Sequence, residues 1–165
     1  MRKIYTKRGD EGFTKDYSGK KISKDDIKII IAGKIDSLQS AIDLAILNST
    51  GKTKNFLGEV QKKLWQTAGE ISCVDKSCIL WPVEEKDLEM LEKFTDFLGE
   101  PPNKFVRFNT LKSVYYNEAR IRCRELETFF VKLLRKKQIR PIAYKWVNRL
   151  SSLFFMLAYK SSFQR

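Results

Sequence analysis

The chain has 165 residues, of which 42% are hydrophobic and 32% are charged, a composition that excludes an intrinsically disordered protein. Its 32 lysines and arginines outnumber 20 aspartates and glutamates, so the formal net charge is +12 and anionic partners are expected. Histidine is absent from the sequence, which excludes a Ser-His or Cys-His nucleophile and any imidazole metal ligand. The length predicts one domain over residues 1–165. We find no signal peptide and no apolar run long enough for a membrane span, and therefore expect a cytoplasmic location.

The three cysteines, Cys73, Cys78 and Cys123, are too few and too irregularly spaced for a zinc site or a secreted disulfide framework. A pairing of Cys73 with Cys78 is the alternative to buried thiols, which we favour. No residues are therefore assigned as metal ligands.

Residues 1–23 are rich in glycine and charge and predict an irregular N-terminal arm. Backbone N–H groups beside Gly9 can turn toward phosphate oxygens, and neighbouring hydroxyl and cationic groups would add hydrogen bonds. A frayed basic terminus explains the same composition. The candidate phosphate ligands of this segment are Thr6, Lys7, Arg8, Thr14 and, at the entrance of the first helix, Lys24.

Five later segments repeat apolar residues at helical spacing. They cover residues 23–48, 53–74, 84–98, 111–137 and a final stretch that begins at Pro141. Ser23 is the predicted N-cap of the first helix, and Trp65 is predicted to point inward from the second. Pro101 and Pro102 prevent continuation of the third helix, and residues 105–110 are predicted to be irregular. Short connections predict an all-α fold, an antiparallel bundle of five helices.

The fourth predicted helix carries Arg120, Arg124 and Glu127 on one face, beside Ile121, which we predict to be buried. Two guanidinium groups on one face suit a polyphosphate, because each presents several donors in a rigid fork. The alternative is a solvated face with salt bridges between successive turns.

Two polar residues lie on otherwise apolar helix faces. Asp36 on the first helix needs a cationic partner, and Arg120 is a reasonable candidate. Asn148 interrupts the last helix, where a hydrogen bond between helices is the simplest explanation. Residues 51–53 read Gly-Lys-Thr, but no strand and no earlier glycine precede them, so we reject a P-loop.

Six motifs in order along the chain together resemble the PduO-type ATP:cob(I)alamin adenosyltransferases. The motifs are Thr6–Thr14 (TKRGDEGFT), Gly19–Asp26 (GKKISKDD), Ile35–Ser40 (IDSLQS), Val60–Trp65 (VQKKLW), Ala119–Glu127 (ARIRCRELE) and Trp146–Ser152 (WVNRLSS). No one motif decides the matter, but their order and spacing are specific and span nearly the whole chain.

The resemblance implies a five-helix bundle that forms a homotrimer, with ATP between neighbouring subunits. It implies that Arg120, Arg124 and Asp36 support catalysis, with Asp36 paired to Arg120 within a chain or across the interface. Phe105 would close the lower face of the corrinoid. The residues implied around ATP are Thr6, Lys7, Arg8, Gly9, Thr14, Lys15, Lys24, Arg120, Ile121, Arg122, Cys123, Arg124, Glu127 and Asn148.

The implied reaction has Co(I) of a reduced corrinoid such as cobalamin attack the 5′ carbon of ATP and release triphosphate. Such a reaction needs no side-chain nucleophile, which agrees with the absence of histidine. The protein must align the reactants and stabilise the leaving triphosphate, with arginines, lysines and Mg²⁺ as suitable groups. A corrinoid reductase that supplies Co(I) is a further expected partner.

The sequence departs from the family pattern at three places. Residues 105–110 replace a Pro-Gly-Gly segment, Glu125 stands where the family has a second arginine, and Ser152 replaces an aspartate. One alternative is therefore a divergent member that binds ATP or a corrinoid with little transferase activity. Another is a basic helical module that binds nucleic acid, which we disfavour because its lysines are spread over every segment and no reading motif is present.

Overall fold

The computed structural model describes residues 4–16, 19–72 and 81–163, and every structural statement below refers to these residues. They form five α-helices, which confirms the predicted all-α fold. The helices are α1 (Ile27–Leu47), α2 (Gly51–Ser72), α3 (Glu85–Phe97), α4 (Leu111–Arg135) and α5 (Pro141–Ser161). Cys73 and Cys78, which we expected to be buried thiols with a disulfide as the alternative, and the predicted end of the second helix lie outside the described residues.

The N-terminal arm contains a small hairpin that the sequence did not predict. Strand β1 (Phe13–Lys15) pairs antiparallel with β2 (Lys21–Ser23), so that Thr14 lies opposite Ile22. The prediction of Ser23 as a helix cap was therefore wrong. Asp26 caps α1 instead, and its carboxylate accepts the Lys28 backbone N–H at 2.9 Å. Strands of three residues are too short to show an alternating pattern, which explains the missed hairpin.

Helix α4 lies at the centre of the bundle, between α1 and α5, while α2 packs on α1 and α3 packs on α5. Its buried face includes Tyr116, Leu126 and Phe130.

Two predicted inward residues are exposed, namely Trp65 (70%) and Ile121 (38%). Trp65 directly follows buried Leu64, and a step of one residue turns about 100° around a helix. Ile121 lies two residues from buried Ala119 and Cys123, a turn of about 200° that places it on the opposite side of the helix.

Neighbouring central helices run in opposite directions, as two contacts at one end of the bundle show. The Tyr116 hydroxyl near the start of α4 lies 2.6 Å from Ser49 Oγ, just after the end of α1. Thr110 Oγ1, at the start of α4, donates to the carbonyl of Ser161 at the end of α5, at 3.3 Å. The arm therefore enters α1 at the opposite end of the bundle, the end at which α4 passes into α5.

The buried Tyr116–Ser49 hydrogen bond gives a test of the packing between α1 and α4. Ser49 Oγ donates to the Ala45 carbonyl at 2.6 Å, so the tyrosine hydroxyl donates to Ser49. We expect Tyr116→Phe to lower the free energy of unfolding by about 1–2 kcal/mol, because Ser49 loses a buried partner. Urea unfolding at pH 7 measures the change, and an unchanged midpoint would contradict the expectation.

The same tyrosine predicts loss of stability at alkaline pH. Burial raises the pKa of Tyr116, more than its hydrogen bond to Ser49 lowers it. The unfolded tyrosine therefore loses its proton first, near its ordinary pKa of about 10, and stability falls as the pH rises above that value. Tyr116→Phe should remove this component of the alkaline decline in unfolding free energy.

Candidate anion-binding site

Arg120 and Arg124 lie one turn apart on the outer side of α4, with few partners of their own. Arg120 Nε donates to Asn117 Oδ1 at 2.9 Å, and in the described residues neither guanidinium forms an ion pair. Burial, and then the charge of Arg124, lower the pKa of Arg120. Two neighbouring cations without a carboxylate repel each other, so the face is suited to an anion.

Two cavities flank these arginines and share both of them. One, of about 420 Å³, lies between α3, α4 and α5 and includes Ser151 and Ser152. The other, of about 400 Å³, lies between α1 and α4 and includes Lys34. A larger groove of about 560 Å³ between α2 and α3 contains none of the predicted site residues, and volume therefore does not identify the site.

Glu127 turns toward α5 rather than joining the arginines. Its Oε1 accepts Asn148 Nδ2 at 2.9 Å and the Tyr144 hydroxyl at 3.4 Å. The hydrogen bond between helices that we expected of Asn148 is thus present. Tyr144 was missed in the sequence, although it precedes Asn148 by one helical turn on the same side.

Within the arm, Lys24 and the glycines come together. Lys24 Nζ donates to the Gly9 carbonyl at 2.7 Å, and the Lys24 backbone N–H donates to the Gly12 carbonyl at 2.9 Å. A Cβ on Gly9 would lie 2.8 Å from Lys24 Nζ, so a side chain there displaces the ammonium. Gly12 has φ of 79°, a conformation that favours glycine. The remaining predicted arm ligands are half-buried Thr14 and the exposed residues Thr6, Lys7, Arg8 and Lys15.

Within one chain, the described residues do not join the predicted arm ligands to the two arginines by a polar contact. Among the described residues, none of the predicted arm ligands shares a hydrogen bond or an ion pair with Arg120 or Arg124. Asp36 is exposed on α1 and has no ion pair in the described part of the chain. The pairing of Asp36 with Arg120 within a chain is therefore absent, which leaves the pairing across a subunit contact.

Two of the predicted ligand-binding residues, Cys123 and Phe105, have opposite burial: one lies in the core and the other at the surface. Cys123 is 0% exposed, and burial followed by the charge of Glu127 raises its pKa well above the ordinary value. Its thiol faces the core and does not line the surface, so we correct its assignment as a ligand. Phe105 is 96% exposed, in the segment between α3 and α4.

Glu125, where a charge reversal was predicted, is neutralised by a lysine from another helix. Lys34 Nζ lies 3.0 Å from Glu125 Oε2, and Arg122 Nη1 lies 3.4 Å from the same oxygen. The hydrogen bond from Lys34 is the largest cause that lowers the pKa of Glu125. Arg122 also binds Glu118 at 2.8 Å, so this predicted ATP ligand is already paired with carboxylates.

The described residues contain no group of three His, Cys, Asp or Glu side chains that could hold a metal ion. None of their helices combines the length and the low charge that crossing a bilayer requires.

Comparison with known proteins identifies this helical bundle as an adenosyltransferase of the cobalamin type. Residues 4–161 match the sequence model of the family described as cobalamin adenosyltransferase. The chain therefore belongs to this family, as the motifs predicted.

Similar proteins of several organisms are named as corrinoid adenosyltransferases. A corrinoid adenosyltransferase of Citrobacter freundii is 29% identical over 96% of this chain and 94% of its own length. The human corrinoid adenosyltransferase MMAB is 30% identical over 94% of this chain and 67% of its own length. A point variant of a PduO-type ATP:corrinoid adenosyltransferase from Lactobacillus reuteri, complexed with cobalamin and ATP, superimposes with a TM-score of 0.85 at 25% identity, covering 98% of this chain and 94% of that one.

Proposed function

We propose that this protein transfers the 5′-deoxyadenosyl group of ATP to the Co(I) centre of a reduced corrinoid and releases triphosphate. The proposal depends on one observation: in the described residues, Arg120 and Arg124 lie side by side without a carboxylate partner. The chain that carries them belongs to the cobalamin adenosyltransferase family. The relatives named above are corrinoid adenosyltransferases, and the Lactobacillus reuteri structure contains both substrates.

In this reaction the cobalt–carbon bond forms with an electron pair from Co(I), and the bond between C5′ and the triphosphate oxygen breaks. The electron pair of this broken C–O bond leaves with the triphosphate, where negative charge increases. Guanidinium groups of Arg120 and Arg124 would stabilise this charge, and the rigid bundle would hold the phosphates in line with C5′. No histidine is required at any step.

The outer face of α1 and α4 supports a homotrimer with its sites between subunits. Leu44 and Leu47 on α1 and Val114 and Ile121 on α4 are all exposed, although each is apolar. Burying such residues against a second copy would stabilise an oligomer. On the same outer face of α1, Asp36 is free to pair with Arg120 of a neighbour.

In such a trimer, the arm of one subunit would complete the site of the next. The hydrogen bond from Lys24 Nζ to the Gly9 carbonyl joins the two ends of segment 9–24 of the arm, and Thr14 lies in the hairpin between them. The proposed role of the arm is to bind the phosphates opposite Arg124. Asn148 would contribute its amide from α5, with its orientation fixed by Glu127.

The corrinoid would lie beside the end of α3. Gly99 and Pro101 line the same cavity as the arginines, and Phe105 follows four residues later with an exposed ring. An apolar ring against the lower face of the corrinoid would favour loss of the axial ligand and so assist reduction to Co(I). A corrinoid reductase would supply the electron that reduces the cobalt to Co(I). We place the reaction in the cytoplasm, where ATP is available.

The direct test mixes the protein with ATP and chemically reduced cobalamin and follows formation of the cobalt–carbon bond by absorbance. We expect turnover with release of triphosphate. Binding of ATP without turnover would instead support the divergent-member alternative. Absence of ATP binding, together with tight RNA binding that weakens steeply with salt, would support the nucleic-acid alternative.

Mg²⁺ is expected to enter the site bound to the phosphates of ATP, since the described residues provide no metal-binding group of their own. Removing Mg²⁺ with EDTA should therefore lower turnover by about tenfold or more, because the leaving triphosphate loses a counter-charge. Adding back Mg²⁺ should restore the rate in the same absorbance assay. A rate that is unchanged in EDTA would contradict a role for the ion.

A further inference from the structure

Lys34 on α1 lies across a cavity from the two arginines of α4, although no motif points to it. Its side chain is 34% exposed, and the cavity of about 400 Å³ that it lines also contains Arg120 and Arg124. The lysine therefore adds a third positive charge to the wall of the cavity, from a different helix.

The position of the Lys34 ammonium is fixed by Glu125. Lys34 Nζ lies 3.0 Å from Glu125 Oε2, and Arg122 Nη1 contacts the same oxygen from the other side at 3.4 Å. Glu118 holds Arg122 in turn at 2.8 Å, so the carboxylate of Glu125 has little freedom to move away. An ammonium has three N–H donors, and one bond to Glu125 leaves donors free to bind a ligand.

The charges in the cavity favour a polyanion even with Glu125 present. Lys34, Arg120 and Arg124 contribute three positive charges, and Glu125 contributes one negative charge. A triphosphate carries more negative charge than two guanidinium groups can neutralise, so a third cation strengthens its binding.

We propose that Lys34 is a third phosphate-binding cation in the cavity that Arg120 and Arg124 line, in addition to the cations of the neighbouring arm, and that Glu125 is the positioning residue that holds its ammonium in this cavity. The inference rests on the proposed function for the identity of its ligand, the triphosphate of ATP. The competing explanation is that the ion pair of Lys34 with Glu125 serves only to fasten α1 to α4.

A second ion pair between helices provides a matched control. Lys63 Nζ on α2 lies 3.0 Å from Asp87 Oδ2 on α3, the same separation as in the Lys34–Glu125 pair, and Lys63 lines neither arginine cavity. Lys63→Met therefore removes an ion pair of equal length that is more buried (19% and 10% exposed side chains) and leaves the charges around the arginines unchanged.

The experiment measures binding of ATP and of inorganic tripolyphosphate by calorimetry, with thermal unfolding of the same samples. We expect Lys34→Met to weaken binding of both ligands by about tenfold, the loss of one charge-assisted contact, and Lys34→Arg to stay within about threefold of wild type. Lys63→Met should lower the unfolding temperature and leave both affinities unchanged.

The opposite result would be that Lys34→Met binds ATP and tripolyphosphate with wild-type affinity. Its unfolding temperature would fall, as that of Lys63→Met does. That outcome would assign Lys34 a structural role only. Cobalt–carbon bond formation by the wild type is assayed separately, so a structural Lys34 in an active enzyme overturns this inference alone. A wild type that binds neither ATP nor tripolyphosphate would overturn both proposals.

Discussion

Replacing Arg124 with alanine should lower kcat/KM for ATP by about 100-fold, the scale of losing one preorganised group that stabilises developing charge. The same change should alter the free energy of unfolding by less than about 0.5 kcal/mol, because Arg124 is exposed and has no ion pair among the described residues. Removing it even relieves repulsion with Arg120. Steady-state kinetics and urea unfolding of the purified variant measure the two quantities.

Arg135→Ala is the matched control, since Arg135 is an exposed arginine in the last turn of the same helix and lines neither cavity. It should keep wild-type kcat/KM. Arg124→Lys should fall between wild type and Arg124→Ala, because it keeps the charge but loses the forked geometry. Equal proportional losses of stability and activity in Arg124→Ala would argue against a role in the site.

Arg140→Ala should give the largest loss of stability among the substitutions considered. Arg140 binds Glu70 with two hydrogen bonds, Nε to Oε1 at 2.6 Å and Nη2 to Oε2 at 2.8 Å, and also the Val83 carbonyl at 2.8 Å. The hydrogen bond to Glu70 is the largest cause that raises the pKa of Arg140. The Glu70 side chain is 4% exposed, so its carboxylate would remain buried without a partner.

We expect that loss to be about 3–5 kcal/mol in the free energy of unfolding, measured by urea denaturation. The double variant Arg140→Met with Glu70→Leu should recover much of the stability, because it removes the uncompensated charge together with its partner. A loss below about 1 kcal/mol in Arg140→Ala would mean that Glu70 finds water or another cation when Arg140 is absent.

The sequence could predict those features of the fold that depend on residues close together along the chain. Apolar spacing and the prolines at 101, 102 and 141 placed the limits of α3 and the start of α5 within one or two residues. The same reasoning failed for Trp65, because periodicity identifies a buried stripe but does not determine its width. The β1–β2 hairpin was missed because each of its strands has only three residues.

For the site, the sequence identified the two arginines but not the groups that surround them. Arg120 and Arg124 share a helix face, which follows from helical geometry alone. Lys34 and Glu125 are separated by 91 residues, and no local pattern predicts their contact. The partner of Asp36 could not be found for a different reason. The partner proposed for it, Arg120, belongs to another subunit, which a single chain does not contain.

The central claim is that Arg124 of one subunit and the arm of its neighbour bind one triphosphate, and subunit mixing tests it most directly. One variant carries Arg124→Ala, and the other carries Thr14→Val with Lys24→Ala in the arm. Each should be nearly inactive alone. Co-expressed at equal levels, they should regain about one quarter of wild-type activity, because random assembly of a closed ring gives that share of intact sites. A mixture as inactive as its components, with mixed oligomers shown by mass spectrometry, would contradict the claim.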